Sequence, residues 1–260
     1  MLSALLALGL SIFYLVVLPN LFVLPYLFHR RAVGLPAMQN ILEDKTLIFI
    51  SVLGFIPAHL LTLATAWAVV TRVGRFPFLA TLGWGWSKGF GPWKSVALAI
   101  ALFFVGMFLI RLSGGQDTRF EQIIRSSRAA TYTIALIAVL TAPLVEEVIY
   151  RGLLYSALQR AIGMMGSVII VAVLFAGAHV YQYWPNLGAV SAVLLLSFSL
   201  TLVRAGTGRL LPCFAIHLVF NGIQAALILV DPYLRQLEGV PGHEPAAVAI
   251  IISGALYSLP

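Results

Sequence analysis

The sequence predicts an all-α protein, a polytopic transmembrane bundle of about eight spanning helices. Three observations carry that reading. Hydrophobic residues make up 61% of the 260-residue chain and charged residues 10%, against roughly 45–50% and about 25% in soluble domains. The mean hydropathy of +1.00 leaves too few polar side chains to cover a water-exposed surface. The apolar residues also fall in continuous charge-free runs, without the alternation of an outer-membrane β-barrel.

A span needs about 20 apolar residues, and the runs divide accordingly. The first is Met1–Phe28, closed by His29, Arg30 and Arg31. It lacks the basic start of a cleaved signal peptide and is expected to be a retained helix. The second is Thr46–Thr71, between Lys45 and Arg72. A Gly- and Trp-rich connection, Arg75–Lys94, follows, its tryptophans suited to the headgroup level. The third span, Ser95–Ile110, is short, and Ser113–Arg128 reads as a polar loop. The fourth runs from near Ala129 to about Gln159, interrupted by Pro143. From Ala161 to Val203 no charge appears; this stretch is too long for one span, and Trp184-Pro185-Asn186 divides it into a fifth and a sixth. The seventh is Leu210–Val230, and an eighth, Pro245–Pro260, follows a polar loop. Residues 1–260 are expected to form a single integral-membrane domain, multi-pass, which in a bacterium would lie in the cell or inner membrane.

The net charge of +7 does not signal nucleic acid. The basic residues are spread through short connections, as is ordinary beside lipid. They divide almost evenly between the two sides, so the positive-inside rule assigns no orientation. Cys213, the one cysteine, cannot form an internal bridge and reads as an inert small hydrophobe.

Charged groups inside spans cost at least about 2.5–3.5 kcal/mol each and mark function by default. They concentrate in Val145-Glu146-Glu147-Val148-Ile149-Tyr150-Arg151. Adjacent helical residues diverge by about 100°, so the two carboxylates cannot share a face. Glu147 and Arg151 are spaced i,i+4 and can pair, which leaves Glu146 without a local cation. Pro143 suits the first turn of a restarted helix. His179 follows a turn of small residues, and His217 and Asn221 sit i,i+4 on one face of the seventh span. At about 1.5 Å per residue, Glu146, His179, His217 and Asn221 reach similar depths from one side. A carboxylate, two imidazoles and an amide suit hydrolysis: a base for water, a second proton-handling group and donors for an oxyanion.

These residues resemble the motifs of the CAAX prenyl protease type 2 and bacteriocin-processing (CPBP, Abi) family of intramembrane proteases. The motifs are two glutamates, three residues and arginine (Glu146, Glu147, Arg151); phenylalanine, three residues and histidine (Phe175, His179); and histidine, three residues and asparagine (His217, Asn221). They lie within residues 129–230, the expected catalytic core. The resemblance implies an intramembrane endopeptidase acting on a membrane-associated protein or peptide, including prenylated CAAX-type substrates. It implies that Glu146 activates water with His179 assisting, that His217 and Asn221 stabilise the oxyanion, and that Glu147 and Arg151 support Glu146. No cofactor is favoured. The alternative is a metal-dependent protease with zinc on Glu146, His179 and His217, although no His-Glu-x-x-His signature is present. A transporter or a non-catalytic scaffold in the lipid bilayer is the further alternative, since buried Glu, His and Arg also mark proton relays.

Other residues read as structural. Phe175 is expected to pack. His59, beside Pro57, belongs to no motif and reads as a helix-packing or cavity-lining group. His29 and His243 are expected to be solvated, and Tyr181, Tyr183 and Trp184 to form an interfacial belt.

Overall fold

The computed structural model describes residues 1–34 and 44–237. The order is α1 (Leu2–Ala32), α2 (Lys45–Leu53), α3 (Phe55–Thr71), α4 (Phe78–Leu82), α5 (Pro92–Leu112), α6 (Arg119–Ser126), α7 (Arg128–Leu140), α8 (Ala142–Glu147), a π-helical segment (Val148–Leu154), α9 (Tyr155–Tyr183), α10 (Leu187–Thr207) and α11 (Leu211–Leu237). No strand occurs among the described residues, so the all-α bundle expected from the apolar runs is what forms.

Among the described residues, six helical stretches are long and apolar enough to cross a membrane. One of them, Arg128–Tyr183, has 56 residues, about 84 Å of helix against a hydrocarbon core of about 30 Å. It breaks at Gly163, whose φ of 77° is non-helical, so it has the length for two crossings. The expected eighth span, Pro245–Pro260, and His243 lie outside the described residues.

The boundaries shift for local reasons. The second span bends at Gly54, between α2 and α3, where α1 passes so close that a Cβ would sit 2.5 Å from Pro19 Cα. The third span is longer than expected because Pro92 supplies a pre-set first turn. The connection after α3 contains the short helix α4. The expected polar loop Ser113–Arg128 contains α6, started by a capping box in which Thr118 and Glu121 satisfy each other's backbone N–H groups.

The core forms where α9 packs on α10 and α10 on α5, with α11 against α5 and α7. One apolar cluster gathers Val148, Leu154, Tyr155, Val168, Val171 and Phe175 under the π-helical segment. A second gathers Ala99, Phe103, Leu196, Leu200, Ile216 and Phe220 with Cys213. The Cys213 thiol donates to the Leu200 carbonyl at 3.3 Å and is fully buried, in keeping with an inert core residue. Asn186 joins the ends of two helices: its side-chain oxygen accepts from Ala189 N–H at the start of α10 and from the Ser113 hydroxyl at the end of α5.

Candidate active site

The chain breaks between α7 and α8 because Pro143 has no amide proton and cannot continue the hydrogen-bond ladder. Thr141 is the hinge: it ends α7 and starts α8. The last carbonyls of α7 then lack intrahelical donors, and the Asn221 amide of α11 donates to one of them, Ala138 O, at 2.9 Å. The break starts a new helix whose second turn carries Glu146 and Glu147. Immediately afterwards the backbone widens into a π-helix, a geometry that concentrates at functional sites.

The two carboxylates diverge. Glu147 and Arg151 are fully buried and pair at 2.9 Å. The Arg151 guanidinium also donates to the Thr201 hydroxyl and to the Ser197 hydroxyl and carbonyl, all on α10, and it stacks over the Phe175 ring. Glu147 Oε1 accepts from Arg151 and also meets His217 Nδ1 at 2.9 Å. Glu147 Oε2 is buried and has no hydrogen-bond partner among the described residues. Each member of this pair is therefore held by other helices: Arg151 by α10 and Glu147 by α11.

Glu146 points the other way, with its side chain 22% exposed. Its Oε1 lies 3.9 Å from His179 Nε2 and its Oε2 3.6 Å from His217 Nε2. Both imidazoles are oriented from behind. His179 Nδ1 meets the Phe175 carbonyl at 2.8 Å, and His217 Nδ1 meets the Glu147 carboxylate. Those oxygens only accept, so each Nδ1 carries the proton, and in the neutral ring each Nε2 presents a lone pair. Three acceptor groups thus face one another at separations too long for direct hydrogen bonds. A water molecule, which can donate two protons, complements such a cluster. Their exposure differs: His179 is 21% exposed beside Glu146, whereas His217 is 3% exposed.

Phe175 is buried at the centre of this arrangement. It stacks on His179 with ring centroids 4.6 Å apart and meets His217 and Tyr150 edge-on. The packing role expected of it has a specific object, the two imidazoles and Arg151. Tyr183 stacks on the other side of His179 at 6.3 Å and meets Phe120 of α6 at 5.9 Å. Tyr183 is partly buried, while Tyr181 and Trp184 are exposed. Burial raises the Glu121 carboxyl of α6 above its ordinary range against the Thr118 N–H, and the nearby Asp117 charge adds to the rise.

Two imidazoles and a carboxylate have the chemistry of a divalent-metal site. Among the described residues, however, no group of three or more His, Cys, Asp or Glu side chains is placed to hold an ion.

Of the six polar residues that sequence reasoning singled out, Glu146, Glu147, Arg151, His179 and His217 are joined here, while Asn221 bonds the end of α7; His59, read as a packing or cavity-lining group, has its Nδ1 2.8 Å from the Thr141 hydroxyl. No motif marks that pair, since its members are 82 residues apart. The signal available for α6 was the Thr118-x-x-Glu121 spacing.

Comparisons with known proteins agree with the family resemblance of the three motifs. Residues 128–223 match the family described as type II CAAX prenyl endopeptidase Rce1-like. Over 250 residues, 92% of this chain and 91% of the relative, the sequence is 25% identical to YdiL of Bacillus subtilis (strain 168), described as a candidate membrane peptidase. No solved structure matches. With the apolar helices, these likenesses support a multi-pass integral membrane protease, a hydrolase.

Proposed function

We propose that this protein is an intramembrane endopeptidase that hydrolyses a peptide bond of a membrane-associated protein or peptide with water activated by Glu146. The observation that carries the reading is the convergence of the Glu146 carboxylate and the two Nε2 atoms of His179 and His217 from three helical segments. Prenylated CAAX-type chains are the substrate class that the family's description points to.

Water bound among these acceptors gives a proton to Glu146 as its oxygen attacks the scissile carbonyl. The carbonyl oxygen becomes an oxyanion, and two donors suit it. One is the second hydrogen of the Asn221 amide, whose first goes to Ala138. The other is His217 Nε2–H in the doubly protonated ring, a form in which Glu146 and His179 alone accept from the water. The tetrahedral intermediate collapses, the C–N bond breaks, and the proton held by Glu146 passes to the leaving amine, with His179 assisting the transfer. Glu147 and Arg151 take no proton in this scheme; they hold His217 and the helix.

The reaction so described needs no metal. Purified protein in proteoliposomes, presented with lipid-anchored and prenylated peptides, is expected to release two products with newly formed termini after exhaustive chelation. It should contain less than about one equivalent of zinc. Stoichiometric zinc, with cleavage lost on chelation and restored by zinc alone, would replace this chemistry with that of a metalloprotease.

A further inference from the structure

His59 lies on α3, outside every motif, and is 6% exposed. Its Nδ1 is 2.8 Å from Thr141 Oγ1. The Thr141 hydroxyl donates to the Ile137 carbonyl, so it accepts from His59, and Nδ1 carries the proton. The acceptor is no ordinary surface threonine. Thr141 is the single residue between α7 and α8, with a backbone φ of −114° that departs from both helices. Five residues later comes Glu146.

A third histidine is thus fixed on the same plan as the two that face Glu146. His179, His217 and His59 come from α9, α11 and α3, and each is fixed through Nδ1: by the Phe175 carbonyl, the Glu147 carboxylate and the Thr141 hydroxyl. The first two face Glu146 at 3.9 and 3.6 Å. His59 acts on the hinge from which the Glu146 helix leaves. Pro143 has removed the backbone bond that would otherwise set that direction, and an imidazole on a neighbouring helix supplies a fixed point in its place.

We infer that His59 is a positioning residue of the catalytic site: through Thr141 it sets the angle at which α8 starts, and so the place of the Glu146 carboxylate between His179 and His217. The inference rests on the reading of Glu146 as the base. Precision matters there, because displacement by about 1 Å costs on the order of 10²-fold in rate. A histidine that only filled space between α3 and α7 would be replaceable by leucine.

The test uses full-length protein in detergent, with His59→Leu, His59→Asn and Thr141→Val. Asparagine places an amide N–H near the position of Nδ1; leucine keeps the bulk and loses the donor. Turnover is expected to fall roughly tenfold or more in His59→Leu and in Thr141→Val, with KM within about twofold. The double variant should lose no more than either single variant, because both cut one contact. His59→Asn should stay within about threefold of wild type.

A second readout needs no cleavage. In ¹⁵N-histidine-labelled protein, the Nε2 resonances of His179 and His217 should move in His59→Leu and keep their wild-type positions in His59→Asn. Unchanged resonances in His59→Leu, or turnover lost equally in His59→Asn, would overturn the inference. Full activity of Glu146→Gln would instead reject Glu146 as the base, and the imidazole resonances would still decide whether His59 sets its position.

Discussion

Two neighbouring glutamates meet different fates because a helix turns about 100° per residue. Glu147 is carried inward to Arg151 and His217, and Glu146 toward two bare Nε2 atoms. Breaking a buried ion pair from one side leaves an uncompensated charge and costs about 3–5 kcal/mol. Glu147→Gln is therefore expected to lower the unfolding midpoint clearly, and Arg151, with its α10 contacts intact, would be left as an unpaired buried cation. A thermal shift in detergent no larger than that of an exposed-site control would show that the pair does not hold the helix. His179→Ala and His217→Ala should each lose on the order of 10²-fold in kcat, with smaller changes in KM, since their contribution falls in the transition state. Single-turnover kinetics check this, and an unimpaired variant would remove that residue from the scheme. At this scale the sequence was most legible where partners share a helix. The Glu147–Arg151 pairing followed from spacing alone; the i,i+4 spacing of His217 and Asn221 set both on α11, where one meets Glu147 and the other the Ala138 carbonyl. His59 is buried as a helix-packing polar group should be, but its contact with Thr141 was illegible, because the partner lies on another helix and neither residue type nor separation flags it.

Elements here are defined as much by their interruptions as by their length. The break at Thr141 was foreshadowed by Pro143; the close approaches fall at Gly54 and Gly188. A Cβ at Gly188 would fall on the Leu109 carbonyl oxygen of α5, so α10 rests directly on the end of that helix. Gly188→Val is expected to push α10 away and destabilise the protein by at least about 1–3 kcal/mol, the usual cost of overpacking. Gly177→Val, where nothing lies within 4 Å of the added Cβ, should cost much less. Comparing their unfolding midpoints checks the close contact, and equal shifts would contradict it. The π-helix after Glu147 left no mark in the sequence. It is a change of hydrogen-bond register within an apolar run whose composition suits an α-helix equally well. Helix α6 was hidden for another reason: its polarity reads as a loop when apolar runs are the guide, although its capping box was present.

Across the whole molecule, composition alone decided the solvent. Large side chains such as Phe104, Leu136 and Val173 point outward, as they must where lipid replaces water. The polar groups are drawn inward, to a site that α3, α7, α8, α9 and α11 build between them. Depth arithmetic along the spans anticipated that Glu146, His179 and His217 meet. It could not show that their Nε2 and carboxylate atoms converge, because that depends on rotamers fixed by Phe175, Glu147 and Arg151 from behind. The central claim is that Glu146 takes the proton from the attacking water. Glu146→Gln keeps the size of the side chain and removes its basicity, so it tests that claim with the least disturbance. In a single-turnover cleavage assay on a membrane-anchored peptide, Glu146→Gln with a wild-type unfolding midpoint is predicted to show no cleavage above background. Turnover close to wild type in that variant would contradict the account.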